Sequence, residues 1–229
     1  MAWSDQWRGA WRDLAKAVTG DSAQRGPTIR VMTRRDLDEV LRIIRLHDSD
    51  DYKAARAAFD ESRFELPPDV SAHFVIEEPD ERRIVGVCGY FIGDNETRGT
   101  YWLGWTYINP FFRGRGYGGV LMDFVLAGLS QLGARKIFLT TSSLPKYQSA
   151  VGFYKKHGFV EEGRLLDYYN DGEHQLIMGC PLQGAGRRVA PRSSSIKPAP
   201  NSRAPSQPAP PPRSDNPKDD DDDGVVFEF

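Results

Sequence analysis

Residues 113–119 read Arg113-Gly114-Arg115-Gly116-Tyr117-Gly118-Gly119, a glycine-rich segment between two regular patterns. The preceding run, residues 101–108, has the aromatic and β-branched composition of a strand, and the apolar spacing from Val120 to Leu132 predicts a helix. Glycine permits positive φ and a close approach of the backbone to a ligand. Several N–H groups can then converge on one anion at the positive end of a helix dipole. The segment therefore predicts an oligophosphate-binding loop.

Three other interpretations of these glycines compete. A P-loop of the NTPase type would end in Gly-Lys-Ser/Thr, but here Gly118-Gly119-Val120 follows. The dinucleotide fingerprint matches at Gly114, Gly116 and Gly119, yet it requires an acid at the end of the next strand. That strand, residues 136–141, has no acid at its end. A strand-to-helix turn without a ligand is the remaining alternative.

The same segment resembles the acyl-CoA signature of the GNAT-type N-acetyltransferases, Arg/Gln-x-x-Gly-x-Gly/Ala, through Arg113, Gly116 and Gly118. The lead-in Ile108-Asn109-Pro110 is also similar to the family. The resemblance implies that loop amides hold the diphosphate of CoA and that the preceding strand hydrogen-bonds the pantetheine arm. It implies acetyl-CoA as cosubstrate and the following cofactor-binding residues: Tyr107, Ile108, Arg113, Gly114, Arg115, Gly116, Tyr117, Gly118, Gly119 and Tyr147.

A second segment, residues 147–159, resembles the family's fourth helix and its exit. Ala150, Val151 and Tyr154 share one helical face, and Gly158 fits the left-handed position past the helix end. The resemblance implies that Tyr154 is catalytic and protonates the departing CoA thiolate, which needs a nearby O–H donor. For Tyr154 alone, an aromatic packed at a helix–sheet seam is the alternative. Many family members have an asparagine at the position of Tyr147, and its side chain contacts CoA. The tyrosine here does not predict whether that side-chain contact is kept.

Hydrophobic periodicity predicts the element order β-α-α-β-β-β-α-β-α-β-β over residues 28–182. Its fourth strand is expected to run unbroken to about Ile108. By resemblance this order implies an α/β class, the GNAT acyl-CoA N-acyltransferase fold. That fold is a mixed, twisted sheet with flanking helices, and its fourth and fifth strands splay to admit the cofactor.

Two extensions flank this predicted 28–182 acetyltransferase domain. Residues 1–27 carry a helical stripe, predicted to dock on the domain or on a second copy, with a membrane surface as the alternative: Trp3, Trp7, Trp11, Leu14 and Val18. Residues 183–229 contain nine of the sixteen prolines and predict a disordered tail. Its acidic, apolar tip, residues 219–229, is either a short protein-binding motif or a solubilising end.

Composition excludes several classes. A formal net charge of −2 argues against general nucleic-acid binding, and no apolar run is long enough to span a membrane or to form a signal peptide. Cys88 and Cys180 fall in predicted strands. We expect them to be small buried side chains in a reducing cytoplasm rather than a disulfide or a pair of metal ligands. The four histidines lack ligand spacing, so we expect no metal.

The resemblance implies an N-acetyltransferase that acts on a primary amine of a small molecule or of a protein N-terminus. The sequence does not identify the general base. The candidates are Glu77, Glu78, Asp167 and Tyr107, and for the three acids the alternative is an ordinary solvated surface residue. The acidic segment 47–52 either complements a cationic amine or caps a helix. The alternative function is a catalytically idle acyl-CoA-binding module that recruits partners through its tails.

Overall fold

The computed structural model describes residues 5–19, 26–59, 64, 66–67, 69–93 and 99–182, with only the helix backbone for residues 5–8 and 18–19. The predicted disordered tail, its acidic tip and Trp3 lie outside the described residues. The domain boundaries at residues 28 and 182 remain predictions.

The described elements follow the predicted order, with one helix in front and with the predicted fourth strand divided into two, β4 and β5. The helices are α1 Asp5–Thr19, α2 Leu37–Arg45, α3 Ser49–Ala58, α4 Tyr117–Gln131 and α5 Gln148–Lys156. The strands are β1 Thr28–Val31, β2 Ser71–Glu77, β3 Ile84–Phe91, β4 Thr100–Leu103, β5 Tyr107–Ile108, β6 Lys136–Ser142, β7 Val160–Asn170 and β8 Glu173–Pro181.

Across the described residues, the strands form one mixed sheet in the order β1-β2-β3-β4-β6-β8-β7, with β5 also paired to β3. Every pairing is antiparallel except that of β4 with β6. This parallel pairing covers only residues 100–102 against 136–138. Beyond it β6 continues to Ser142 while β5 stays with β3, so the sheet opens between them. The predicted fourth strand corresponds to β4 and β5, and the predicted fifth strand corresponds to β6. The predicted splay between these two strands is therefore present.

The expectation of an unbroken fourth strand is wrong. Tyr90 pairs with Leu103 and Val87 with Tyr107, so two residues of β3 face three residues, 104–106, of the opposite chain. One extra residue of this kind is a β-bulge. The Gly104 N–H donates to the Gly89 carbonyl at 2.7 Å and holds the bulge against β3.

Helices cover both faces of the sheet and bury two apolar clusters. One cluster lies under α1, α4 and α5, and includes Phe74, Tyr90 and Phe124. The other lies under α2 and α3, and includes Ile43 and Val75. Alternate residues of a strand point to opposite faces, so β2 and β3 supply both clusters. The sheet is therefore packed against helices on both of its faces.

The side chain of Trp11 carries α1 onto the first of these clusters. Its ring is 4% exposed and lies 4.6 Å from the ring of Phe74 and 5.1 Å from that of Phe124. It also lies directly over Gly128 of α4, where a Cβ would overlap the indole. Leu14 is buried on the same side of the helix. The described part of the predicted stripe thus packs on the domain.

Candidate active site

A glycine loop with unused main-chain donors leads into α4. The buried side chain of Asn109 accepts a hydrogen bond from the Phe111 N–H at 3.1 Å and closes a 3-10 turn before the loop. Gly114 and Gly116 then take φ values of +73° and +84°, where a side chain would be strained. Gly116 is the N-cap of α4, so the first N–H groups of the helix have no acceptor within it. Within the described part of the chain, no group accepts a hydrogen bond from the N–H groups of residues 114–119.

The remaining predicted loop residues shape this concave turn. The Arg115 guanidinium lies 4.9 Å from the centre of the Phe112 ring, and the Tyr117 ring packs beside the same ring at 6.5 Å. Gly118 lies where α4 meets β5 and α5: a Cβ there would be in ordinary van der Waals contact with the Ile108 side chain at 3.4 Å and with the Phe153 ring at 3.5 Å. At Gly119 a Cβ would come within 3.8 Å only of the histidine ring at the end of α5.

The backbone of β5 presents further donors to the opening. The Asn109 N–H donates to the Val85 carbonyl at 2.8 Å, towards β3. Along an antiparallel strand, successive N–H groups face opposite edges. Those of Thr106 and Ile108 therefore point away from β3, into the gap where β6 has diverged. The opening thus combines a row of strand donors with the donor-rich loop at its end.

His47 connects the loop to this strand edge. Its Nε2 lies 2.8 Å from the Ile108 carbonyl, and its Nδ1 lies 2.8 Å from a guanidinium nitrogen of Arg113. Because a carbonyl only accepts, Nε2 carries the hydrogen and Nδ1 accepts from Arg113. Burial, followed by the charge of Arg113, lowers the pKa of His47 and favours this neutral form. The Arg113 side chain is thereby tied to the strand edge through a neutral imidazole.

Tyr154 lies on the opposite side of the opening, on α5. Burial is the main cause that raises the pKa of its hydroxyl above the ordinary value, and the Cys88 thiol on β3 adds to it. Cys88 Sγ in turn lies 3.3 Å from Thr106 Oγ1, beside the bulge. The phenol is therefore protonated at neutral pH and lies near the Cys88–Thr106 pair. It has the protonation state that a general acid needs.

Tyr107 and Asp51 form a buried pair on the face of α2 and α3. The Tyr107 hydroxyl donates to Asp51 Oδ2 at 2.8 Å. Burial is the largest cause that raises the pKa of Tyr107, followed by Asp51, with smaller effects of Tyr154 and Tyr147. The pKa of Tyr107 is thus affected by side chains from three other segments of the chain, Asp51, Tyr147 and Tyr154.

The acidic segment 47–52 has two roles. Asp48 caps α3, since its carboxylate accepts the N–H groups of Asp50 and Asp51 at 2.7 and 3.1 Å. The side chain of Asp51 turns inward instead, to Tyr107. Sequence reasoning named the segment but did not single out Asp51, because a cap motif accounts for the whole acidic run locally.

The acids named earlier as candidate bases have other partners. Glu77 pairs with Arg30 at 2.7 Å on the edge of the sheet. Glu78 accepts the N–H groups of Asp80 and Glu81 and stabilises the β2–β3 turn. Asp167 accepts the Gly172 N–H at 2.8 Å in the β7–β8 turn. None of these bonds leads to the opening.

A separate cavity of about 380 Å³ lies beyond the end of β1. It is lined by residues of α1, β1, β2 and the end of α3, among them Trp11, Arg34, Phe59 and His73. No residue of the glycine loop, β5 or α5 lines it. We therefore place the candidate site at the opening of the sheet rather than in this cavity.

Replacing Gly116 with alanine should weaken CoA binding by about 5–30-fold. An alanine in the left-handed conformation of Gly116 costs about 1–2 kcal/mol, and the backbone can relieve this strain only by moving the loop amides away from the phosphates. Titration calorimetry with CoA measures the change. Gly172, with φ +78°, provides the matched control in the β7–β8 turn, where alanine brings the same backbone strain and no change in affinity. Equal CoA affinity for Gly116→Ala and the wild type would contradict a role of this loop.

Two further features bear on function. In the described residues no group of three or more metal-ligating side chains comes together. No described helix is long and apolar enough to cross a membrane.

A family model described as the acetyltransferase (GNAT) family matches residues 35–159, which is 125 of the 229 residues. No curated protein matches the sequence.

Solved structures share the fold at low sequence identity. A protein from Desulfovibrio desulfuricans assigned to the GNAT family is 24% identical with a TM-score of 0.61, covering 69% of this chain and 99% of that one. Ard1 from Thermoplasma volcanium is 23% identical with a TM-score of 0.56, with the same two coverages. The ribosomal-protein-S18-alanine N-acetyltransferase from Escherichia coli is 19% identical with a TM-score of 0.55, covering 72% and 99%. With the family model matching more than half of its length, the chain belongs to the GNAT family of acetyltransferases.

Proposed function

We propose that the protein transfers an acetyl group from acetyl-CoA to a primary amine of a small molecule or of a protein N-terminus. One observation carries this proposal: the sheet opens between β5 and β6, with the glycine loop at one end and Tyr154 beside it. A diphosphate fits the loop because its N–H groups have no acceptor among the described residues.

The residues divide the binding task along the opening. The N–H groups of residues 114–119 hold the two phosphates, and those of Thr106 and Ile108 hydrogen-bond the extended pantetheine arm. Tyr107, Arg113, Arg115 and Tyr147 complete the walls of this site. Acetyl-CoA supplies a thioester whose carbonyl carbon is open to attack by a neutral amine.

Transfer then requires one bond exchange and one proton exchange. The amine nitrogen bonds to the carbonyl carbon while the carbon–sulfur bond breaks. Tyr154 gives its proton to the leaving sulfur and is restored by a proton from the new amide nitrogen. Because burial raises the pKa of Tyr154, this residue starts the reaction protonated. The buried free cysteines Cys88 and Cys180 support a reducing cytoplasm as the place of reaction.

A panel of amines tests the proposal. The wild-type protein is incubated with acetyl-CoA and, separately, with a polyamine, an aminoglycoside, amino-acid derivatives and peptides with free amino termini. We expect release of free thiol, together with the acetylated product by mass spectrometry, for one class of acceptor. The N-acetylated form of each amine is the control, since it has no primary amine to react.

Two outcomes would count against the proposal in different ways. CoA binding by calorimetry without thiol release from any amine would favour the idle acyl-CoA-binding module. Absence of CoA binding would reject both functions. The C-terminal tail of such a module lies outside the described residues, and helix α1 of the N-terminal extension packs on the domain through Trp11. Tyr154 and its surroundings favour catalysis.

A further inference from the structure

The bulge places two different chemical environments back to back. Thr106 and Tyr107 are successive residues, so their side chains point to opposite faces of the sheet. Thr106 faces Cys88 and, through it, Tyr154 on the α5 side. Tyr107 faces Asp51 on the α3 side. A thioester held in the opening would thus meet a proton donor from one face and a carboxyl group from the other.

The surroundings of Asp51 suit a cationic ligand. Among the described residues Asp51 makes no ion pair, and its one side-chain hydrogen bond comes from Tyr107. A carboxylate can accept about four hydrogen bonds, so this one has unused capacity. Burying a carboxylate without a cation is unfavourable, and an incoming ammonium group would compensate for that.

Charged and titratable groups reach Asp51 from three elements. On its own helix and the cap of that helix, the neighbouring charges are Asp50 and Asp48. Asp50 forms an ion pair with Lys53 at 3.0 Å. The segment before α5 supplies the exposed Lys146, and β5 supplies Tyr107. Around Tyr107 stand His47, Tyr147 and Tyr154.

Burial is the main cause that raises the pKa of Asp51, and the charges of Asp48 and Asp50 act in the same direction. The hydrogen bond from Tyr107 and the charge of Lys146 oppose them. A carboxylate with a raised pKa is a stronger base than an ordinary aspartate, and a general base works best near the working pH.

We propose that Asp51 binds the ammonium group of the acceptor and removes its proton, with Tyr107 as the positioning residue. This inference rests on the proposed acetyl transfer and names the side from which the acceptor enters, the face of α2 and α3. One proton passes from the ammonium nitrogen to an Asp51 oxygen and later to solvent. The neutral amine then attacks, and the second proton it loses restores Tyr154.

The pH dependence of kcat/KM separates this role from a structural one. With Asp51 as base, kcat/KM reaches a plateau above the pKa of Asp51, and the start of that plateau is the same for two acceptors of different ammonium pKa. In Asp51→Asn we expect kcat/KM to fall by about 10²–10⁴-fold at neutral pH. The remaining rate should rise with pH until the pKa of each acceptor, since only solvent then deprotonates the amine.

Tyr107→Phe shifts the profile in a defined direction. This substitution removes the hydrogen bond that lowers the pKa of Asp51. The pKa of Asp51 therefore rises, its carboxylate stays protonated up to a higher pH, and the acidic limb of the kcat/KM profile moves to higher pH.

Asp50→Asn is the matched control, because Asp50 is the neighbouring acid and pairs with Lys53 at the surface. It should keep the wild-type plateau rate. Because the charge of Asp50 is one of the smaller causes that raise the pKa of Asp51, any shift of the acidic limb should be slight and towards lower pH, opposite to that of Tyr107→Phe. CoA affinity by calorimetry should stay unchanged in Asp51→Asn and in Asp50→Asn. An Asp51→Asn variant that keeps the wild-type profile, or that loses activity together with CoA binding, would overturn the assignment. If the wild type transfers acetyl to no amine, the proposed function fails instead, before Asp51 is tested.

Discussion

Tyr154→Phe should lower kcat for acetyl transfer by about 10²–10⁴-fold while the affinity for acetyl-CoA stays the same. The substitution removes only the hydroxyl and keeps the ring contacts with Phe153 at 5.7 Å and Phe159 at 5.8 Å. Without the hydroxyl, the thiolate must leave unprotonated or take its proton from water. Thiol release with a cognate amine measures the rate, and calorimetry measures binding.

The pKa of Tyr154 adds a second criterion. Because burial holds that pKa above the ordinary value, the wild type should keep its activity at moderately alkaline pH, with no loss near the pKa of a free phenol. Tyr168→Phe provides the control, since Tyr168 is exposed on β7, which lies at the edge of the sheet beyond β6 and β8. An unchanged kcat in Tyr154→Phe would reject the residue as the acid and leave the fold assignment intact.

Trp11→Ala should reduce the free energy of unfolding by about 3–5 kcal/mol, the usual cost of truncating a buried aromatic side chain. The indole is 4% exposed and packs among Phe74, Tyr90 and Phe124. For a chain of this size the loss corresponds to a fall in Tm of about 6–20 °C. Differential scanning calorimetry or denaturant unfolding measures it.

Gly128→Ala tests the same contact from the opposite side. In the wild type the added methyl would overlap the indole, so we expect it to destabilise the protein. In the Trp11→Ala background the space is vacant, and alanine should then stabilise α4 by about 1 kcal/mol through helix propensity. This reversal of sign is the expected result of the double-mutant cycle. Gly9→Ala in α1, where a Cβ meets nothing within 4 Å, controls for propensity alone. A harmless Gly128→Ala in the wild type would contradict the packing of α1.

Sequence patterns predicted the order of elements and the loop because both depend on local periodicity. The strand–glycine–helix succession around Gly116 needs no knowledge of the rest of the chain. The bulge at residues 104–106 escaped prediction because it is a property of pairing with β3. The segment from Tyr101 to Ile108 has the composition of a strand. That composition does not show whether its pairing with β3 is continuous or is interrupted by one extra residue.

Asp51 was not predicted as part of the candidate site for a related reason. Asp48 could be predicted as a cap from its immediate neighbours. The partner of Asp51, by contrast, is 56 residues away, and the partner of His47, Arg113, is 66 residues away. Contacts of that range follow from the fold as a whole, so no local pattern could separate Asp51 from the other acids of its segment.

The packing of Trp11 on α4 also has a practical consequence for shortening the chain. A polypeptide trimmed to the stretch that matches the family, residues 35–159, would lack the indole over Gly128 and the strand β8 that lies between β6 and β7. Phe74 and Phe124 would then face water on one side, and the edge of β6 would be left uncovered. Recombinant versions intended for enzymology or crystallisation should therefore begin ahead of α1 and extend past β8.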